Sequence, residues 1–191
     1  STLGTLFMRW LRLLLVVLLV PLAACSLNGN LKSYPVEQRG PYTLEAGDVI
    51  TVSVYGDDNF GKAFKVDETG TVSLPLVGPV GVRGLTVNEA AGKIAAALTQ
   101  GFIRNPSVTA QIESYRPFFI QGPVKNGGQF PYVPGMTVRA AVSTAGGYSE
   151  TANRNRVTVY RQQGGQMYKA GVDLDFPIYP GDTIVVAERW F

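Results

Sequence analysis

Apolar and polar side chains alternate along several short stretches of this chain, and the alternation predicts strands. In Asp48–Tyr55 the β-branched Ile50, Val52 and Val54 take one side, while Thr51, Ser53 and Tyr55 take the other. Thr71–Val77 shows the same period, and Ser107–Ile112 sets Val108, Ala110 and Ile112 on one face. Val157–Arg161 and Met167–Val172 flank Gln162–Gln166, whose two glycines suit a hairpin loop. Ile184–Val186 reads as a last strand. The period changes to that of a helix over Thr86–Gln100, where Val87, Ala90, Ala91, Ile94, Ala97 and Leu98 form one stripe. Thr86 and Glu89 open it at capping-box spacing. A shorter helix is predicted over Val138–Ala145, with Thr137 as its N-cap and Gly146-Gly147 as a left-handed stop. The fold class is α+β and mostly β, with short helices covering small sheets.

Two echoes run through these elements. Gly84-Leu85-Thr86-Val87 returns 51 residues later as Gly135-Met136-Thr137-Val138, and each is preceded by a strand ending in Gly-Pro-Val, at Gly78–Val80 and Gly122–Val124. The second echo spans 134 residues: Leu44–Ile50, with Gly47-Asp48, matches Ile178–Ile184, with Gly181-Asp182. Gly47 and Gly181 supply positive φ in a tight turn, and Asp48 and Asp182 bond local backbone where the next strand begins. A ligand-holding role for these four residues is the weaker reading, because Gly-Asp turns form for conformational reasons alone.

The N-terminus is patterned differently. Residues 1–24 hold 17 apolar side chains and no acidic group, and Arg9 and Arg12 precede the apolar stretch Leu13–Ala24. That stretch is 12 residues long, short of the roughly 20 that a membrane-spanning helix needs, and its layout is that of a secretory signal. Leu22-Ala23-Ala24-Cys25 resembles a bacterial lipobox, which makes Cys25 the expected lipidation site, and Ser26 after it implies sorting to the outer membrane. Residues 25–41 are polar and aperiodic enough for a tether, and folding is expected to begin near Tyr42.

Composition then removes whole classes of chemistry. Among 191 residues, 46% hydrophobic and 16% charged, there is no histidine and one cysteine. No Ser-His or Cys-His couple, imidazole metal site or internal disulfide can be built from these, so no catalytic residue, metal or cofactor is assigned. A net charge of +3, with basic residues scattered along the chain, gives no nucleic-acid surface. Asp57-Asp58 and Asp67-Glu68 would make a glycosidase-like set only if two of them stood about 5–10 Å apart across a cleft. Tyr115, Phe118, Phe119, Phe130 and Tyr132 cluster in sequence and offer faces for sugar stacking, although large aromatics are first of all core material. Trp190 and Phe191 are unusual for a terminal tail and suit docking on the protein's own surface, on a neighbouring protomer or at a lipid interface. Tyr115, Phe118, Phe119, Tyr132 and Trp190 are taken forward as candidate polysaccharide or subunit contacts.

The motif order carries a family resemblance. Tyr42–Tyr55 with Gly47-Asp48, then Val66–Gly70, Leu74–Gly78, Gly84–Ala91 and Asn105–Val108, is similar to the polysaccharide export domain of the Wza-like outer-membrane polysaccharide export lipoproteins. Phe118, Gly122–Val124, Gly135–Val138 and Ala145–Gly147 resemble the soluble ligand-binding β-grasp (SLBB) module. The resemblance implies four segments. They are a signal (1–24), a lipidated tether (25–41), an export domain (42–114) and an SLBB β-grasp domain (115–191) whose last strand returns to the first domain. It implies export of an exopolysaccharide or capsular polymer by a lipid-anchored, periplasm-facing homo-oligomeric ring at the outer membrane. The expected partners are the polymer, an inner-membrane polysaccharide co-polymerase and a separate outer-membrane pore protein. The last expectation arises because fuller members end in an amphipathic pore helix, whereas this sequence ends in Glu188–Phe191 directly after a strand. The alternative is a periplasmic lipoprotein that binds a glycan or small ligand without transporting it.

Overall fold

The computed structural model describes residues 41–163 and 166–190. The predicted signal, Cys25, all but the last residue of the tether, and Phe191 lie outside the described residues.

The first sheet is built on β1 (Val49–Val54), whose alternate residues Ile50, Val52 and Val54 are buried. It lies between β2 (Asp57–Lys65) and β5 (Val108–Ser114), antiparallel to both. A separate hairpin pairs β3 (Thr71–Leu74) with β4 (Gly78–Gly81). Helix α1 (Val87–Thr99) buries Ala90, Ala91, Ile94 and Leu98, and its predicted capping box is formed in both directions between Thr86 and Glu89. Phe60, Val66, Val72 and Val82 complete this core.

The second sheet has five strands in the order β7-β6-β10-β8-β9. These are β6 (Phe118–Gln121), β7 (Gly128–Phe130), β8 (Ala152–Gln163), β9 (Gln166–Val172) and β10 (Thr183–Glu188). Helix α2 (Val138–Thr144) sets Val138, Ala141 and Val142 against Phe118, Ile120, Val157, Val159, Ile184 and Val186.

Several elements differ from the sequence pattern, among them the unpredicted three-residue β7. β2 was hidden because only Phe60 is buried among nine residues, as suits an edge strand. The strand predicted over Thr71–Val77 stops at Leu74. Val77 N–H donates to Pro75 C=O across Leu76, whose φ of 68° turns the chain into β4. β8 starts earlier than Val157, because an irregularity between Val186 and Ala187 lets Ala152 and Asn153 join the ladder. The last strand does not return to the first sheet. β10 is inserted parallel to β6 and antiparallel to β8, where Ile184 and Val186 are buried in the second core.

The two echoes prove to be one structural unit used twice. Leu44 N–H donates to Leu85 C=O at 2.8 Å, and Ile178 N–H donates to Met136 C=O at 3.0 Å. In each case the residue leading into a Gly-Asp turn is tied to the residue before a helix N-cap. In the first half the turn precedes its helix in the chain, and in the second half it follows.

Candidate functional site

The two Gly-Asp turns have matching geometry. Gly47 has φ +96° and Gly181 φ +83°, conformations that a Cβ disfavours. Asp48 and Asp182 are each fully buried. The Asp48 carboxylate accepts from Glu45 N–H at 2.9 Å, and that of Asp182 from Tyr179 N–H at 2.7 Å. In return each Asp N–H donates to the carbonyl of the residue three positions back.

A buried carboxylate needs a counter-charge, and each turn draws one from far along the chain. Asp182 receives Arg161, from β8, through Nε at 2.8 Å and a second nitrogen at 2.7 Å, the two-pronged geometry that guanidinium favours. Arg161 also donates to Pro177 C=O and lies 4.0 Å from the Tyr179 ring centroid. Asp48 receives Arg116, from the segment between β5 and β6. The Arg116 backbone N–H donates to Oδ1 at 2.8 Å, and its guanidinium lies 3.5 Å from Oδ2. Tyr42 closes the set, donating its hydroxyl to Asp48 at 2.7 Å while accepting from Arg116 at 2.7 Å. Burial, and then the bond to Asp48, keep the Tyr42 phenol protonated well above the ordinary tyrosine range.

Arg116 also reaches the other turn. Gly181 N–H donates to Pro117 C=O at 2.9 Å, and Phe119 N–H donates to Asp182 C=O at 2.8 Å. The segment after β5 is therefore stitched to both turns, and the two cores meet around it. Tyr42, Arg116 and Arg161 escaped the sequence reading. The signal available was the absence of a basic residue within either Gly-Asp turn, which requires a distant partner for any buried aspartate.

The candidate aromatics separate by exposure. Phe118 is fully buried and stacks on Phe130 at 5.9 Å between ring centroids, so it is core material and cannot touch a polymer or a subunit. Tyr115 is half-buried between Tyr42, at 4.9 Å, and the half-buried Tyr132, at 5.5 Å, both edge to face. Phe119 and Trp190 remain exposed. Phe119 points away from the second core, opposite Gln129 on β7 and Thr183 on β10. Thr183 faces Tyr160, and Tyr160 faces Lys169, whose amine lies 5.6 Å from the Tyr160 ring centroid. One row thus crosses the outer face of the whole sheet: Gln129, Phe119, Thr183, Tyr160, Lys169. Two rings, an amide, two hydroxyls and an amine in one cross-strand row can stack on and hydrogen-bond to a sugar chain.

One carboxylate of each acidic cluster, Asp57 and Asp67, is committed to a turn. Asp57 accepts from the backbone and side chain of Asn59. Asp67 accepts from the N–H and hydroxyl of both Thr69 and Thr71, and these bonds hold its carboxyl well below the usual carboxylate range. Asp67 is thereby held as the carboxylate, the opposite of what a general acid requires. Among the described residues no group of three or more acidic, His or Cys side chains is arranged to hold a metal ion.

Comparison with known proteins places these features. Residues 36–113 match the polysaccharide biosynthesis/export protein family, and residues 117–170 match the SLBB domain. The chain is 35% identical over 95 residues to the exopolysaccharide production protein ExoF of Rhizobium meliloti (strain 1021), a match covering 49% of this chain and 23% of that protein. It is 29% identical over 161 residues to the polysialic acid transport protein KpsD of Escherichia coli, covering 78% of this chain and 28% of the relative. The matches therefore span only about a quarter of the length of these curated relatives.

Proposed function

Because the chain belongs to the polysaccharide biosynthesis/export family and carries an SLBB domain behind its export domain, we propose that it moves an exopolysaccharide or capsular polymer across the periplasm and outer membrane. In this reading it is a periplasm-facing, lipid-anchored conduit or adaptor at the outer membrane. Copies assemble head to tail into a ring, receiving polymer from an inner-membrane co-polymerase. It acts without catalysis, and Asp48, Asp57, Asp67 and Asp182 serve instead as turn formers and ion-pair partners.

The observation that carries the reading is the stitching of two family domains into one body through Arg116 and the twin Gly-Asp turns. A protomer whose two domains are joined in this way suits a scaffold that must hold a path open. The row Phe119, Thr183, Tyr160 and Lys169 supplies weak, replaceable contacts along which a polymer slides. Cys25 supplies the anchor, each acyl methylene contributing about 0.8 kcal/mol when buried in lipid.

Deletion of the gene, with extracellular polysaccharide measured, tests the proposal. Polymer secretion falls in the deletion strain and returns with the wild-type gene, and Cys25→Ala restores it poorly. Normal secretion in the deletion strain overturns the export role, and full restoration by Cys25→Ala overturns the lipid anchor.

A further inference from the structure

The charge of the folded region is divided between its halves. Residues 42–114 contain eight acidic and five basic side chains, and residues 115–191 contain five acidic and eight basic, giving −3 and +3. The buried Asp48–Arg116 and Asp182–Arg161 pairs account for one unit on each side, so −2 and +2 remain outside them. Domains of opposite net charge within one chain favour contact between the acidic domain of one copy and the basic domain of the next.

Each half also has an open sheet edge. Among the described residues, β5 has no partner strand beyond β1, and β9 has none beyond β8. The other two edges are blunted. β2 carries Lys62, Lys65 and Gly61 at φ +81°, and β7 is three residues long. By contrast β5 and β9 are seven residues each and free of proline, and β5 is regular from Val108 to Ile112. β9 displays Met167 and Tyr168 at 63% and 53% exposure, which an edge strand of a lone protomer ordinarily avoids. The charges at the edges are complementary too: exposed Glu113 on β5, exposed Lys169 on β9.

We propose that β9 of one copy pairs along β5 of the next, joining the five-stranded sheet of one protomer to the three-stranded sheet of its neighbour. The proposal rests on the ring reading above and specifies its contact. Main-chain hydrogen bonds supply the attachment, and the charge at each half sets the direction, because β9 meets an acidic edge and β5 a basic one. A heterologous contact of this kind leaves one free edge at each end of any open chain of copies, so it propagates until the rotation closes. Thr109, Gln111 and Glu113 are exposed on β5, opposite the face that Val108, Ala110 and Ile112 turn to their core. Met167 and Lys169 point away from the core that Val172 enters.

Charge reversal tests the contact on the full chain, purified in detergent and followed by sedimentation velocity at low salt. One variant carries Met167→Glu and Lys169→Glu, the other Thr109→Lys and Glu113→Lys. Each alone self-associates at least about tenfold more weakly than wild type, because both of its edges now carry the same sign. Mixed in equal amounts, the two assemble again, since every β9–β5 contact in the alternating chain pairs opposite signs; this recovery also shows that both variants are folded. A wild-type oligomer left unchanged by both variants overturns this contact and leaves the ring reading standing. Weak variants whose mixture fails to assemble overturn the contact as well. A wild-type chain that stays monomeric overturns the ring reading together with it.

Discussion

Arg116 and Gly181 are packed so closely that a methyl group placed on the glycine would stand 2.8 Å from the arginine Nε. Arg116 is at the same time the ion-pair partner of Asp48 in the other turn. One side chain therefore fills the space beside both Gly-Asp turns, and the stability of the two domains should be coupled through it.

Gly181→Ala pays twice, once for φ +83° and once for the clash with Arg116. Gly84→Ala provides the comparison, because Gly84 has φ +76° with open space around its Cβ position. The first is expected to destabilise by about 2–3 kcal/mol and the second by about 1 kcal/mol, measured by urea denaturation. In an Arg116→Ala background the excess at Gly181 should vanish. An excess that survives there would show that the clash is with something else.

Arg116→Ala leaves the buried Asp48 without its guanidinium and should cost about 3 kcal/mol. Arg116→Lys keeps the charge, yet an ammonium lacks both the Nε packed beside Gly181 and the guanidinium plane 6.0 Å from the Tyr42 ring centroid, so at least half of that cost should remain. Denaturant midpoints for the two variants within error of wild type would remove Arg116 from the junction.

Asp67 links the first domain to pH. Its four hydrogen bonds favour the carboxylate, lowering its folded pKa below the unfolded value of about 3.9. The contribution is thus complete above that value and is lost as pH falls through the folded pKa. Asp67→Ala should be less stable than wild type at pH 7, and the gap should shrink steadily below about pH 4. Thermal unfolding across that range measures it, and a gap independent of pH would mean that the ionised form contributes nothing.

Phe118 and Phe119 are neighbours with opposite fates. Phe118→Ala empties a fully buried site and should destabilise by about 3–5 kcal/mol. Phe119→Ala, alone or with Tyr160→Ala, should change stability by under about 1 kcal/mol while reducing secreted polymer. Wild-type secretion from the double variant at normal protein level would rule out this row as the polymer's contact surface.

Much of the fold was legible locally. β1, α1 and α2, and the cores of β8, β9 and β10, are marked by period and caps, because one buried face imposes a repeat that the sequence records directly. The edge strand β2 was not, since a strand with one buried residue in nine leaves no such record. The echoes were visible as words, Gly-Leu-Thr-Val against Gly-Met-Thr-Val and Gly-Asp against Gly-Asp, without their relation to each other. Only the folded chain pairs Leu44 with Leu85 and Ile178 with Met136, and so reveals one unit in two chain orders.

The sequence by itself determined the class of the protein and the chemistry closed to it: a mostly β chain with no histidine, two Gly-Asp turns and an ordered set of export motifs. The tertiary structure decided which aspartate meets which arginine, 68 and 21 residues away, and which aromatic is core and which is surface. Local pattern reports what each residue needs, burial or a counter-charge. Which distant residue answers that need depends on chain crossings that no local pattern encodes, and β10 shows the consequence by joining the second sheet instead of the first.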